Sequence, residues 1–373
     1  MSAGHGEAEM QKPIGEYAAY IKNLIPVNIP EAYVLKPVLK NIAGEEDIRN
    51  GVVAFRDFMY LLCDRLISDG SLYCEPQKTK SPDEYPFLHN INDLLIDIGY
   101  HGKLSESNDS LLITELPSCT ASVDGKGKKT NPKISFSKQR NCFDFLTLCG
   151  FVFTGIDSEA KKFNISEAKK IEAAYPDNPV MLTGLKALSV ADIDLRSQRY
   201  NGDDNLLRCN YRLLKAENTD ILDVLRDFLH PLPERLQKFA LELHCRYTAK
   251  GMVCSRNVST VNPRIAYSYI KKSRRVLSNT ELFQRRTWEF DLSLEHGYCL
   301  LVRTKRADKY ADVIAKFPIY LQEKIAQGYG CDRKLRNEPC QKGCLGIRIP
   351  LDESILDISE NILTWLDNEI QCP

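Results

Sequence analysis

Hydrophobic residues recur along this chain in two rhythms, one helical and one alternating, and the rhythm changes several times. In EAYVLKPVLKNIAG (31–44), Val34, Leu35, Val38 and Leu39 share one stripe that ends at Gly44. In GVVAFRDFMYLLCDRLISDG (51–70), Val53, Phe55, Phe58, Met59, Leu62 and Leu66 repeat the pattern until Gly70. Both predict amphipathic helices stopped by glycine, so residues 15–68 read as helical. A polar loop with prolines is expected over 74–85.

An internal echo follows. LHNINDLLIDIGYHGKLSESNDSLLITEL (88–116) predicts a helix, a strand, a turn at Asn108-Asp109 and a returning strand. NCFDFLTLCGFVFTGIDSEAKKFNISEA (141–168) repeats that plan. A helix entering a two-stranded hairpin is the back half of a winged helix, so two winged-helix-like units in tandem are expected. YPDNPVMLTGLKALSVA (175–191) predicts a proline-bounded turn and a short helix.

After the turn-rich YNGDD (200–204), further helices are broken at Pro231 and Pro233. IAYSYIKK, TWEFDLSL and GYCLLVRTK then alternate like strands, with Glu295-His296-Gly297 as a tight turn between the last two. A helix with an internal Pro318, a strand over 344–351 and an acidic C-terminal helix complete the pattern. The expected fold class is α+β. Residues 1–200 form a helical region with two winged-helix-like helix-hairpin units, and 201–373 form an antiparallel-sheet domain with flanking helices.

The part from the second helix-hairpin onward resembles a group of uncharacterised proteins of gut Firmicutes. NCFDFLTLCGFVFTGID, YPDNPVMLTGLK, WEFDLSL, the spaced cysteines after Tyr329 and ILTWLDNE carry the likeness. The resemblance implies a coherent fold and supplies no mechanism.

Composition narrows the class. At 373 residues, two or three domains are expected. No run approaches the ~18 to 20 apolar residues of a membrane span, and the start lacks the order of a signal peptide. The chain has 13 cysteines, and most stand singly in apolar stretches. Such cysteines are small buried hydrophobes in a reducing compartment, so a cytoplasmic protein is expected. Lys plus Arg equals Asp plus Glu at 50 each, so no global charge draws nucleic acid or anionic lipid.

Candidate chemistry lies in three places. Cys331, Cys340 and Cys344 are the densest set of soft ligands. A structural zinc needs four, with Cys299, Cys372 or His296 as the missing donor; a packed turn without metal is the plainer expectation. The second place is the acid-free stretch 243–280, whose basic surface would comprise Arg264, Tyr267, Tyr269, Lys271, Lys272, Arg274 and Arg275. Two tyrosines beside cations can stack bases and hold phosphates. The alternative is that the tyrosines line the core, and the zero net charge favours it. The third is an enzyme site around His296, Arg303, Lys305 and Arg306. The helix-hairpin units are poor DNA readers, because Asp93, Asp97, Glu106 and Asp109 would face phosphates. Gly125–Thr130 departs from the P-loop spacing. No resident cofactor is indicated. The reading that results is a non-catalytic binding or regulatory protein, with a protein partner favoured over nucleic acid and no membrane. The alternatives are an enzyme with its site in the C-terminal domain, or a nucleic-acid-binding protein using 243–280.

Overall fold

A proline placed early or inside a helical pattern decides more of this fold than the apolar stripe around it. The computed structural model describes residues 5–70, 73, 86–123, 125, 128–156, 170–198, 205–257, 263–269, 286–304, 307–329 and 346–371. They fall into two compact units, Met1–Thr219 and Asp220–Pro373. Residues 205–219, which the sequence reading groups with the C-terminal part, belong to the first unit. There Lys36 N donates to Leu214 O and Ala216 N to Val34 O.

The first unit contains α1 (His5–Lys22) and α2 (Glu45–Asp69). Glu45, Glu46 and Asp47 sit in the first turn of α2, where the helix dipole favours anions. Phe55, Phe58, Met59, Leu62 and Leu66 are buried along it. The helix expected over 31–44 shrinks to a 3-10 turn, Pro37–Asn41. Pro37 disfavours helical geometry at Lys36, whose ψ is 139°. Leu35 therefore pairs as an isolated bridge with Lys215, and Val34 and Val38 are exposed.

The echo in the sequence is real at the level of elements. α3 (Pro86–His101) leads into β1 (Gly102–Leu104) and β2 (Ser110–Ile113). The minor pair β3 (Ser122–Val123) and β4 (Lys129–Thr130) precedes α4 (Phe136–Leu148), which leads into β5 (Val152–Thr154) and β6 (Ile171–Ala174). Asn108 turns the first hairpin in the left-handed region, at φ 58°. The second strands of the two hairpins pair with each other, so both hairpins share one antiparallel sheet in the order β1-β2-β6-β5. The observation is a helix-hairpin repeat with a shared sheet; the winged-helix designation goes beyond it.

The expected short helix is long: α5 runs Val180–Gln198. Its described side chains are mostly buried, which marks a central helix rather than a surface one. It crosses α2 where Gly51 and Gly184 meet backbone to backbone. A Cβ on Gly51 would lie 2.5 Å from Gly184 N.

In the second unit, Asp220 caps α6 (Ile221–Leu229), its carboxylate accepting from Leu222 N at 3.0 Å. After Pro231 and Pro233 comes α7 (Glu234–Ala249). Five strands follow: β7 (Met252–Asn257), β8 (Arg264–Tyr269), β9 (Arg286–Ser293), β10 (Gly297–Val302) and β11 (Ile347–Pro350). They form one antiparallel sheet in the order β11-β10-β9-β8-β7. β7 was not foreseen; the others were. The expected proline-containing helix is broken at Pro318 into a one-turn α-helix at Ala311–Ile314 and α8 (Ile319–Tyr329), as a proline without an N–H demands. A short helix, Ser354–Asp357, precedes α9 (Ser359–Gln371). Among the described residues no helix is long and apolar enough to cross a membrane.

Candidate ligand site on the polar face of the C-terminal sheet

Side chains alternate across a strand, so β9 offers two different faces. Trp288, Phe290 and Leu292 point one way and are buried. On that face Tyr267 stacks on Trp288 with ring centroids 3.7 Å apart, and Tyr247 of α7 meets Trp288 edge-on at 5.5 Å. The Tyr267 hydroxyl is hydrogen-bonded to His244 Nδ1 at 2.8 Å.

Thr287, Glu289, Asp291 and Ser293 point the other way, and Glu289 and Asp291 are fully buried. Four arginines converge on them from four places. Arg303, just past β10, holds Glu289 with Nη2–Oε1 2.6 Å. Arg286 at the start of β9 approaches the other oxygen at 3.5 Å. Arg264 of β8 faces Asp291 across the ladder, Nε–Oδ1 2.6 Å, and its Nη1 lies 3.9 Å from Glu289. Arg348 of β11 takes the remaining Asp291 oxygen, Nε–Oδ2 3.1 Å. Burial first, then the neighbouring Arg303 and Arg264, lower the Arg286 pKa to about 10 against the pull of Glu289. Such a cluster costs desolvation to form, and removing one buried partner costs ~3–5 kcal/mol.

The cluster opens at one end. Arg348 also lines a cleft of about 400 Å³, together with His296, Cys299, Lys324, Gly346, Ile347 and Pro350. No carboxylate is among these lining residues. Cys299 Sγ points at His296 O, 3.4 Å away. Burial, then Asp291, push its thiol up to about 11, with Arg348 and Lys324 acting in the opposite sense. It is protonated at neutral pH, the inert form of a cysteine.

The residues singled out from sequence scatter over this frame. Tyr267 is corrected outright: it is a core residue, because its strand face is covered by α7, and it contributes nothing to a basic surface. Tyr269 is 38% exposed at the end of β8. Arg264 faces the carboxylates and is ion-paired, so it is no solvated cation. Arg303 joins the same cluster, which brings together one residue from the basic-surface reading and one from the enzyme reading. His296 is in the turn between β9 and β10 and lines the cleft. Lys271, Lys272, Arg274, Arg275, Lys305, Arg306, Cys331, Cys340 and Cys344 lie outside the described residues. Among the described residues no group of three or more His, Cys, Asp or Glu is arranged to hold a metal ion.

Sequence reasoning missed Glu289, Arg286, Lys324 and Arg348, and it placed Asp291 only as a neighbour of His296. A signal for the two acids was present: WEFDLSL puts both on one face of a strand whose other face is aromatic and aliphatic. Comparison with protein-family models, with curated proteins and with solved structures found no match.

Proposed function

We propose that the protein is a non-catalytic binding or regulatory protein of the cytoplasm, whose C-terminal unit holds an anionic group of its partner in the cleft beside β11. One observation carries the reading: Lys324 and Arg348 line that cleft with His296, whose Nε2 lies 3.6 Å from the exposed Glu295, and no carboxylate is among the cleft's described lining residues. Asp291 sits behind Arg348 and orients it, and Glu289 is taken up by Arg303, so that neither buried acid competes for a ligand. Arginine set by a buried carboxylate is pre-organised for anion contact, because less side-chain freedom is lost on binding.

Binding is favoured over nucleophilic catalysis because Cys299, the thiol in the described wall, is kept protonated. A protein partner is favoured over nucleic acid because base stacking loses Tyr267 to the core.

The test is calorimetric titration of the full chain with citrate, at constant ionic strength, on the native protein and on Lys324→Gln. Lys324 lies at the rim, 5.7 Å from the Tyr320 ring centroid, and its replacement leaves the core untouched. The expected result is saturable heat in the native protein and at least tenfold weaker affinity in the variant. Equal affinity in both, or no heat in either, overturns the reading.

A further inference from the structure

β11 is the last strand of its sheet among the described residues, and its hydrogen-bonding groups divide cleanly. Leu351 N donates to Tyr298 O, and the register pairs Ile349 with Leu300 and Ile347 with Val302. Alternate residues of an antiparallel ladder exchange the hydrogen bonds. The main chain of Ile347 and Ile349 therefore faces β10, and that of Arg348 and Pro350 faces outward. Neither Arg348 nor Pro350 makes a main-chain bond on that outer side among the described residues.

Three further facts meet at this edge. α8 lies against β11, and the cleft beside them is large enough for a few side chains. The Arg348 side chain projects onto the polar face, where Nε is spent on Asp291 and the terminal nitrogens have no partner among the described residues. Lys324, from α8, lines the same space.

Resting on the binding function above, we propose that the outer edge of β11 takes a partner's extended peptide as an added strand, with an acidic side chain of that peptide set between Arg348 and Lys324. A residue directly opposite Arg348 in an added strand presents its side chain on the same sheet face. A carboxylate there reaches the terminal nitrogens of Arg348, while its own main chain pairs with the Arg348 N–H and C=O. Charge selects this occupant over a second copy of the chain, since copies paired through β11 would bring Arg348 and Lys324 of each toward the same cations of the other. The features that blunt a sheet edge against indiscriminate pairing, a short strand with an arginine and a proline, thus admit an acidic strand.

The probe is a fluorescein-labelled, end-capped heptapeptide of alternating valine and threonine with a central glutamate, titrated into the full chain and read by anisotropy. Replacing its glutamate by glutamine is expected to weaken binding at least tenfold, and Lys324→Gln in the protein to do the same. Two further peptides carry N-methyl groups at the odd or at the even positions. Pairing through a single edge predicts that one of the two loses binding at least tenfold and the other keeps it. Hydrogen exchange of the segment containing Arg348 is expected to slow in the complex. Equal binding of the glutamate and glutamine peptides, or of both N-methylated peptides, overturns the proposal. Citrate binding that depends on Lys324, with no binding of the peptide, overturns strand addition alone; loss of both overturns the anion site as well.

Discussion

His244 shows how much one side chain reports about its surroundings. It is buried on α7 with Nδ1 against the Tyr267 hydroxyl, and burial lowers its pKa below the ordinary 6.5, with Asp220 pulling weakly the other way. The unfolded chain therefore takes up a proton near pH 6.5 that the folded chain resists until lower pH. Stability is full above about 6.5 and falls as the pH drops toward the folded value, by up to about 1.4 kcal/mol per pH unit. Urea titrations between pH 5 and 7.5 are expected to show this slope in the native protein and a flatter one in His244→Gln; identical slopes count against it. The same residue explains why Tyr267 misleads from sequence. A tyrosine in a basic strand reads equally well as a stacking platform or a core ring, and only its hydroxyl partner, 23 positions away, decides. Glu289 and Asp291 carry the opposite lesson. Their alternation with Trp288 and Phe290 was legible, but the four arginines that meet them come from β8, β9, β11 and the end of β10, and no local pattern links those.

At the scale of elements, the crossing of α2 and α5 is set by two glycines. Substitution of Gly184 by alanine raises helix propensity by about 1 kcal/mol. It also drives a methyl group into the Gly51 carbonyl, which cannot step aside because it belongs to the facing helix. The clash is expected to win, with a net loss of about 2–3 kcal/mol in denaturant titration. Gly125→Ala, where an added Cβ meets nothing within 4 Å, is the control and is expected to change stability by only a few tenths of a kcal/mol. Losses of equal size at the two positions would refute the packing argument. Helices, hairpins and the β9–β10 turn were readable because their signals are local: glycine stops, period-two alternation, proline breaks. The pairing of β2 with β6 was not, since nothing in either hairpin names its neighbour. β7 was hidden by its mixed MVCSRN composition, and residues 31–36 by an apolar stripe that Pro37 overrules.

For the molecule as a whole, the division at Thr219/Asp220 gives each unit its own core. The second carries a closed set of contacts: α7 and α9 are tied by Arg246 and Lys250 to Asp367 at 2.8 and 2.5 Å, and Trp365 of α9 is fully buried. A polypeptide spanning 220–373 is accordingly expected to fold alone, melting cooperatively by circular dichroism and keeping the citrate response of the full chain. A non-cooperative melt would show that its core is insufficient by itself.

The stacked Tyr267–Trp288 pair has an optical consequence. The chain has 2 tryptophans, Trp288 and Trp365, and both belong to the second unit. Both indole rings are fully buried, and neither Nε1 has a hydrogen-bond partner among the described residues. Their emission belongs at the blue end of the protein range, with Trp288 further tuned by the phenol ring lying on it. The fluorescence of this protein is therefore a built-in reporter of the unit that carries the cleft, needing no label, while the first unit stays dark at the same wavelengths.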